Sequence, residues 1–202
     1  MSRVLVVATR SAGKLRELAP MLAAAGFEAR TLDDVGLPED ADAEAHIESF
    51  ETFEENALAK ARYFHALSGL PTLADDSGLA VDALGGRPGV HSKRWCGRDD
   101  LAGDALDAAN NAALARALEN EPLRRAHYVC VAAYADGARE YVARGEVHGA
   151  IAHAPSGTGG FGYDPWFVSD ELARSFGDAT REEKQRVSHR ARAVRALLAQ
   201  LS

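Results

Sequence analysis

Short apolar runs alternate with helical patterns along the first 75 residues of the chain. Arg3–Ala8 contains five consecutive apolar residues, which is typical of a buried strand. A Thr-Phe-Glu-Glu capping box predicts a helix that begins at Phe53 and ends at Gly69. Further along, Ala126–Ala135 and Glu140–Glu146 flank an Asp-Gly turn, which predicts a hairpin. This order of elements predicts an α/β fold with a mixed sheet.

Other element boundaries are predicted from local signals. The first helix is expected over about Lys14–Ala25, with Pro20 kinking it or delaying its start. A brief strand at Thr72–Ala74 is expected to end at a polar turn, Asp75-Asp76-Ser77-Gly78. A second capping box, which begins at Thr180, predicts another helix, and an amphipathic helix ends the chain.

Composition excludes several classes of protein. A chain of 202 residues fits one domain, or two lobes that share a core. No stretch approaches the roughly 20 apolar residues that cross a bilayer, and no signal peptide is visible. Cys96 and Cys130 show no metal or redox spacing, so we expect a reduced, cytoplasmic protein. The net charge of −7 argues against general nucleic-acid binding.

Charge is distributed unevenly along the chain. Residues 33–55 contain ten carboxylates and no Lys or Arg, whereas residues 181–202 contain six basic residues and two acidic ones. One interpretation is a solvated acidic loop and a basic terminal helix. The other is a cleft in which one wall holds a cation and the other an anion. The charge counts alone do not distinguish these two interpretations.

The loop between the first strand and the first helix is a candidate phosphate site. It contains Thr9, Ser11 and Lys14, and a loop at a helix N-terminus offers N–H groups to an anion. The spacing is not that of a Walker loop. An ordinary strand–helix connection with a solvated lysine is the alternative.

Adjacent carboxylates Asp75 and Asp76 suit Mg²⁺, which is typically held by one or two carboxylates together with phosphate oxygens and water. A turn in which Asp binds the backbone is the alternative interpretation. Glu48 is a candidate further ligand, and spacing does not exclude Glu51 or Glu54 in its place.

Two later segments carry ligand-binding residue types. Ser156–Asp164 is rich in glycine but lacks the context of a dinucleotide-binding fold; its glycines let a backbone approach a flat ligand, with Phe161 or Tyr163 stacking on it. A flexible loop is the alternative. In the Ser-His-Arg sequence that starts at Ser188, neighbouring residues do not face each other on a helix, which excludes a hydrolase triad.

Five segments, in this order, resemble the inosine triphosphate pyrophosphatase family: ATRSAGKLREL, TFEENALAKA, LADDSGLAVDALGGRPGVHS, GTGGFGYDPWF and TREEKQRVSHR. The resemblance extends from about residue 3 to residue 200. Members hydrolyse deaminated purine nucleoside triphosphates (ITP, dITP, XTP) to the monophosphate and pyrophosphate, with Mg²⁺. The resemblance implies an elongated mixed sheet flanked by helices, two lobes with an active-site cleft between them, and a homodimer.

The resemblance also implies roles for individual residues. Asp76 is expected to be the general base and, with Glu48, a metal ligand. His189 and Arg190 are expected to read the purine C6 oxygen. The remaining substrate-binding residues are expected to be Thr9, Arg10, Ser11, Ala12, Gly13, Lys14, Ser77, Phe161, Gly162, Tyr163, Asp164 and Lys184.

Two residues depart from the family loop, which is typically Thr-Gly-Asn-x-x-Lys. Arg10 stands in place of Gly and Ser11 in place of Asn. If the Gly position requires a positive φ, Arg10 costs about 1–2 kcal/mol there. Arg10 either points to solvent or adds a cation for phosphate. A pyrophosphatase for pyrimidine or other modified nucleotides, or a non-catalytic nucleotide-binding module, remains the alternative function.

Overall fold

The computed structural model describes residues 3–201. Its strands are β1 (Arg3–Val7), β2 (Phe27–Arg30), β3 (Thr72–Val81), β4 (Arg125–Ala135), β5 (Glu140–Ile151), β6 (Phe167–Ser169) and β7 (Arg174–Ser175). Its α-helices are α1 (Ala12–Ala24), α2 (Ala41–Ile47), α3 (Phe53–Ser68), α4 (Gly103–Ala117), α5 (Arg181–Val187) and α6 (His189–Gln200). Short 3₁₀ helices lie at Asp33–Val35, Asp82–Leu84 and Gly89–Arg94.

The strands form one mixed sheet in the order β2-β1-β3-β4-β5-β6-β7. β1 runs parallel to β2 and to β3, whereas β6 runs antiparallel to β5 and to β7. The predicted α/β fold with a mixed sheet and flanking helices is confirmed. No helix in the described part of the chain is long and apolar enough to span a membrane.

The chain divides into two compact units. The first unit comprises Met1–Asp76, Cys130–Gly145 and Arg190–Ser202, and the second comprises Ser77–Val129 and Glu146–His189. In the first, α1 and α6 bury apolar side chains with β1 and β3, including Leu5, Leu18, Leu22, Leu73 and Leu197. In the second, the core includes Leu79, Leu114, Ile151, Phe167 and Phe176.

Local start and stop signals correctly predicted several helix ends. α3 begins at Phe53, where the Thr52 hydroxyl accepts the Glu55 N–H at 3.2 Å, and it ends at Gly69, whose φ is +66°. The capping box at Thr180 is also present at the start of α5. The Asp136–Arg139 turn joins β4 to β5, which continues through Ile151.

Two predicted boundaries are wrong. α1 starts at Ala12, so Pro20 does not delay it; the Ser11 hydroxyl accepts the Lys14 N–H and caps the helix two residues earlier than predicted. The carboxylates at Asp75 and Asp76 do not end the strand either, because β3 continues to Val81. Charged partners in the first unit, described below, allow these carboxylates to be buried within a strand.

Candidate functional site

A buried carboxylate in β3 lies close to several positively charged side chains of the first unit. Asp75 is 1% exposed, and its Oδ2 lies 3.0 Å from Lys14 Nζ and 3.1 Å from Arg190 Nε. Burial disfavours the ionised form, but the charges of Lys14, Arg190 and Lys60 outweigh burial and hold the pKa of this carboxyl well below its usual range. Asp75 is therefore an ionised anchor for the surrounding cations.

The pKa of the neighbouring carboxylate is shifted in the opposite direction. Asp76 is also buried, and its Oδ2 accepts a hydrogen bond from Asn56 Nδ2 at 3.0 Å. Burial raises the pKa of Asp76 above its ordinary value against the charges of Lys60 and Lys14, and Glu48 acts in the same direction as burial. A carboxylate with a raised pKa is better suited to accept a proton from water, which fits the predicted role of general base.

Two polar residues on α3 belong to this cluster, and the sequence analysis missed both. Asn56 bonds Asp76, and Lys60 forms an ion pair with Glu48. Burial lowers the pKa of Lys60, but the charges of Glu48, Asp75 and Asp76 outweigh burial, so the pKa is raised and Lys60 stays charged. The signal was present in the sequence, because the helical period places Asn56 and Lys60 in the buried stripe that also contains Phe53 and Phe64.

The β1–α1 loop is stabilised by its own hydroxyls. Thr9 Oγ1 accepts the Ser11 N–H at 3.2 Å, and Ser11 Oγ accepts the Lys14 N–H at 3.3 Å. The N–H groups of Ala12 and Gly13 lie in the first turn of α1, where the helix provides no acceptor for them. The loop therefore combines free N–H groups, hydroxyls and a lysine, as the predicted phosphate site requires.

The structure places the Arg10 guanidinium against the acidic segment, and its predicted contact with phosphate remains a prediction. Its guanidinium donates to Glu44 at 2.8 Å and to the carbonyls of Leu37 and Pro38 at 3.0 and 2.9 Å, and it pairs with Asp33 at 3.1 Å. These contacts direct its N–H donors to the acidic segment rather than to a phosphate. Backbone strain is also absent, because among non-glycine residues in 3–201 only Ala173 has a positive φ.

The donor set near Asp76 fits a magnesium ion. Glu48 and Asp76 are close enough for the Glu48 charge to raise the Asp76 pKa, so the pair offers the two carboxylates that Mg²⁺ typically takes. Among the side chains that the structure describes, no group of three or more His, Cys, Asp and Glu residues is arranged to hold a metal on its own. Phosphate oxygens and water would have to supply the other ligands.

In the second unit, one carboxylate organises the glycine-rich segment. Asp164 Oδ2 accepts the Phe161 N–H at 2.8 Å and lies 2.6 Å from Lys184 Nζ. Gly160 makes this possible, since a Cβ there would lie 2.0 Å from Asp164 Oδ2 and its φ is +74°. Lys184 Nζ also lies 4.9 Å from the centre of the Phe161 ring. The predicted residues Phe161, Asp164 and Lys184 thus form one cluster.

Of the two aromatic residues considered for stacking, only Phe161 is accessible. Tyr163 is 5% exposed and donates its hydroxyl to the Ser92 carbonyl at 2.7 Å, so stacking by Tyr163 is corrected to a core role. Burial raises the pKa of Tyr163. His189, also buried, stacks on Tyr128 with ring centroids 4.5 Å apart. Ser77 is half-buried in β3, directly after Asp76.

Neighbours in sequence, His189 and Arg190 belong to different units. The Arg190 side chain is 2% exposed, and it pairs with Asp75 and with Glu17 in the first unit. These contacts make Arg190 a buried partner of Asp75. Its role as a donor to the purine base remains a prediction.

Comparison with known proteins identifies the family. The model of the Ham1 family matches residues 5–200. The chain belongs to the Ham1 family. Among Ham1-family relatives, the dITP/XTP pyrophosphatase of Symbiobacterium thermophilum is 50% identical, with 98% of this chain and 94% of that protein covered. The dITP/XTP pyrophosphatase of Ralstonia nicotianae is 44% identical, with 98% of this chain and 96% of that protein covered.

Solved structures of Ham1-family proteins have the same fold. A HAM1 protein from Coxiella burnetii is 32% identical, with a TM-score of 0.83 and 98% of both chains covered. The dITP/XTP pyrophosphatase from Mycobacterium abscessus is 44% identical, with a TM-score of 0.73 over 96% of this chain and 98% of that chain. The family resemblance predicted from the five sequence segments is therefore confirmed.

Proposed function

We propose that this Ham1-family protein hydrolyses deaminated purine nucleoside triphosphates (ITP, dITP and XTP) to the nucleoside monophosphate and pyrophosphate. The observation that carries the proposal is the buried cluster of the first unit, in which Asp76 has a raised pKa and Lys14 and Lys60 supply positive charge. Relatives that are 44–50% identical and are named dITP/XTP pyrophosphatases support it.

We assign the triphosphate to the first unit. Lys14 and Lys60 neutralise phosphate oxygens, and the N–H groups of Ala12 and Gly13 at the start of α1 donate to them. In the structure, Lys14 pairs with Asp75 and Lys60 pairs with Glu48. Mg²⁺, held by Glu48 and Asp76, would supply further neutralisation of the phosphate charge.

Asp76 acts as the general base in the proposed reaction. Its carboxylate accepts a proton from a water molecule whose oxygen attacks the α-phosphorus. A new phosphorus–oxygen bond forms, the bond to the bridging oxygen breaks, and that oxygen leaves with the β- and γ-phosphates as pyrophosphate. The Asn56 hydrogen bond holds Asp76 in place during proton transfer. Positioning and charge stabilisation supply most of the catalysis in such reactions.

We assign Phe161 to stack on the purine and His189 to donate to the C6 oxygen. Hypoxanthine and xanthine present an oxygen at C6, whereas adenine presents an amino group that is itself a donor. A site with buried donors therefore rejects adenine. The resemblance further supports a homodimer in the cytoplasm as part of this proposal.

The substrate assignment is tested by measuring pyrophosphate release from ITP, dITP, XTP, GTP, ATP, dTTP and UTP with and without Mg²⁺. We expect kcat/KM for the deaminated purines to exceed that for ATP at least ~10-fold, equivalent to about 1.4 kcal/mol. Chelation of Mg²⁺ should abolish turnover. Release of orthophosphate instead of pyrophosphate, or a preference for dTTP or UTP, would contradict the proposal.

A separate prediction concerns Arg10. Arg10→Gly removes the charge-assisted hydrogen bonds to Glu44 and to the carbonyls of residues 37 and 38, so the free energy of unfolding in urea should fall by about 1–3 kcal/mol. Inhibition by tripolyphosphate should change less than twofold. Glu44→Gln is the matched variant, because it weakens the same contact from the other side. Weaker tripolyphosphate binding without a change in stability would mean that Arg10 binds phosphate.

A further inference from the structure

Helix α4 binds both polar groups of a single glycine in the second unit. Asp107 Oδ2 accepts the Gly162 N–H at 2.8 Å, and Asn111 Nδ2 donates to the Gly162 carbonyl at 2.9 Å. Asp107 and Asn111 are four residues apart, so they lie on the same face of α4. Neither residue belongs to the sequence segments that carry the resemblance.

These contacts fix the backbone on both sides of Phe161. The peptide before Phe161 is held because its N–H donates to Asp164 at 2.8 Å, and the peptide after it is held because the Gly162 N–H donates to Asp107. The two carboxylates therefore hold the two peptides that set the backbone conformation at Phe161. Asn111 holds the next peptide through the Gly162 carbonyl.

The segment needs such support because of its composition. Residues 156–162 include four glycines, and glycine loses the most backbone freedom on ordering. Gly162 itself has φ +59°, a conformation that glycine adopts readily but does not favour over others. Asn111 Oδ1 is buried without a hydrogen-bond partner among the described residues, a destabilising feature for a polar side chain.

We propose that Asp107 and Asn111 are positioning residues that hold Phe161 ready to stack on the nucleobase. The inference rests on the proposed function, since it assigns Phe161 to the base of that substrate. It requires that removing either contact weakens binding of a nucleotide with a base, while binding of a base-free polyphosphate is unchanged. Preorganisation of this kind acts mainly on affinity, hence on KM more than on kcat.

The experiment compares Asp107→Ala and Asn111→Asp with two controls. Asp107→Asn retains an oxygen that can accept the Gly162 N–H, and Asp104→Ala removes an equal charge from an exposed position of α4. For each variant we would measure ITP kinetics, inhibition by tripolyphosphate, and hydrogen exchange of the Gly162 amide by NMR.

Asp107→Ala and Asn111→Asp should lower kcat/KM for ITP at least 10-fold, mainly through KM, with tripolyphosphate inhibition within twofold of wild type. Asp107→Ala should also accelerate Gly162 exchange at least 10-fold, whereas both controls should behave like wild type. The inference would be overturned if kcat/KM for ITP and inhibition by tripolyphosphate fell by the same factor. It would also be overturned if Asp107→Asn lowered kcat/KM for ITP as much as Asp107→Ala does. A wild-type protein that does not hydrolyse ITP would contradict the proposed function, whereas unchanged Gly162 exchange in Asp107→Ala would overturn the positioning role independently.

Discussion

Asp76→Asn is expected to lower kcat for ITP by about 10²- to 10⁴-fold, because an amide cannot take the proton from the attacking water. Loss of a metal ligand would add to this effect. The protein should remain folded. Burial raises the pKa of Asp76, so the folded state is less stable with this group ionised at neutral pH, and a neutral isostere should leave the melting temperature equal or higher.

Glu51→Gln is the matched control for this experiment. Glu51 is an exposed carboxylate of the same acidic segment, and its replacement changes net charge by the same amount. We expect its kcat to stay within twofold of wild type. Retention by Asp76→Asn of more than about a third of wild-type kcat would be incompatible with a general base at this position.

Arg190→Ala is expected to produce the largest loss of stability. The guanidinium is buried against Asp75 and Glu17, and removing one partner of a buried ion pair typically costs about 3–5 kcal/mol. Urea unfolding should show a loss of this size, and Arg195→Ala, an exposed position on the same helix, should show much less. If Arg190 only anchors Asp75, the ratio of kcat/KM for ITP to that for ATP stays within threefold of wild type.

Two further results decide the role of Arg190. In a double-mutant cycle, the losses of unfolding free energy caused by Asp75→Asn and by Arg190→Met should not be additive, because the two side chains form one ion pair. A collapse of the ITP/ATP ratio by 10-fold or more, without loss of stability, would instead assign Arg190 to the purine base. Both substrates must be measured on the same preparation.

Local signals in the sequence were sufficient for several helix ends and for the family. The capping residues Thr52 and Thr180 act within three residues of themselves, so they predict helix starts whatever the rest of the chain does. Local signals failed at β3, where the pair Asp75-Asp76 has the composition of a turn but lies within a strand. Cations from distant parts of the chain neutralise the buried charge there, and no local rule includes them.

Arg10 illustrates the same limit at the site. Its position in the loop suggested either a phosphate contact or exposure to solvent, whereas the acidic segment 33–44 accepts its hydrogen bonds. The acidic segment was visible in the sequence, but the sequence did not show that Arg10 binds to it. Lys60, which the sequence analysis missed, is the contrasting case, because helical periodicity is sufficient to predict its buried position.

The sequence by itself determined the α/β class, the family, and the identity of most candidate site residues, because each depends on short-range patterns or on a motif. The tertiary structure decided which charges meet. Asp75 is 61 residues from Lys14 and 115 from Arg190, and only the fold brings them within about 3 Å. Because a carboxyl pKa depends on burial and on the charges within a few ångströms, the contrast between an ionised Asp75 and a proton-accepting Asp76 is a property of the folded chain.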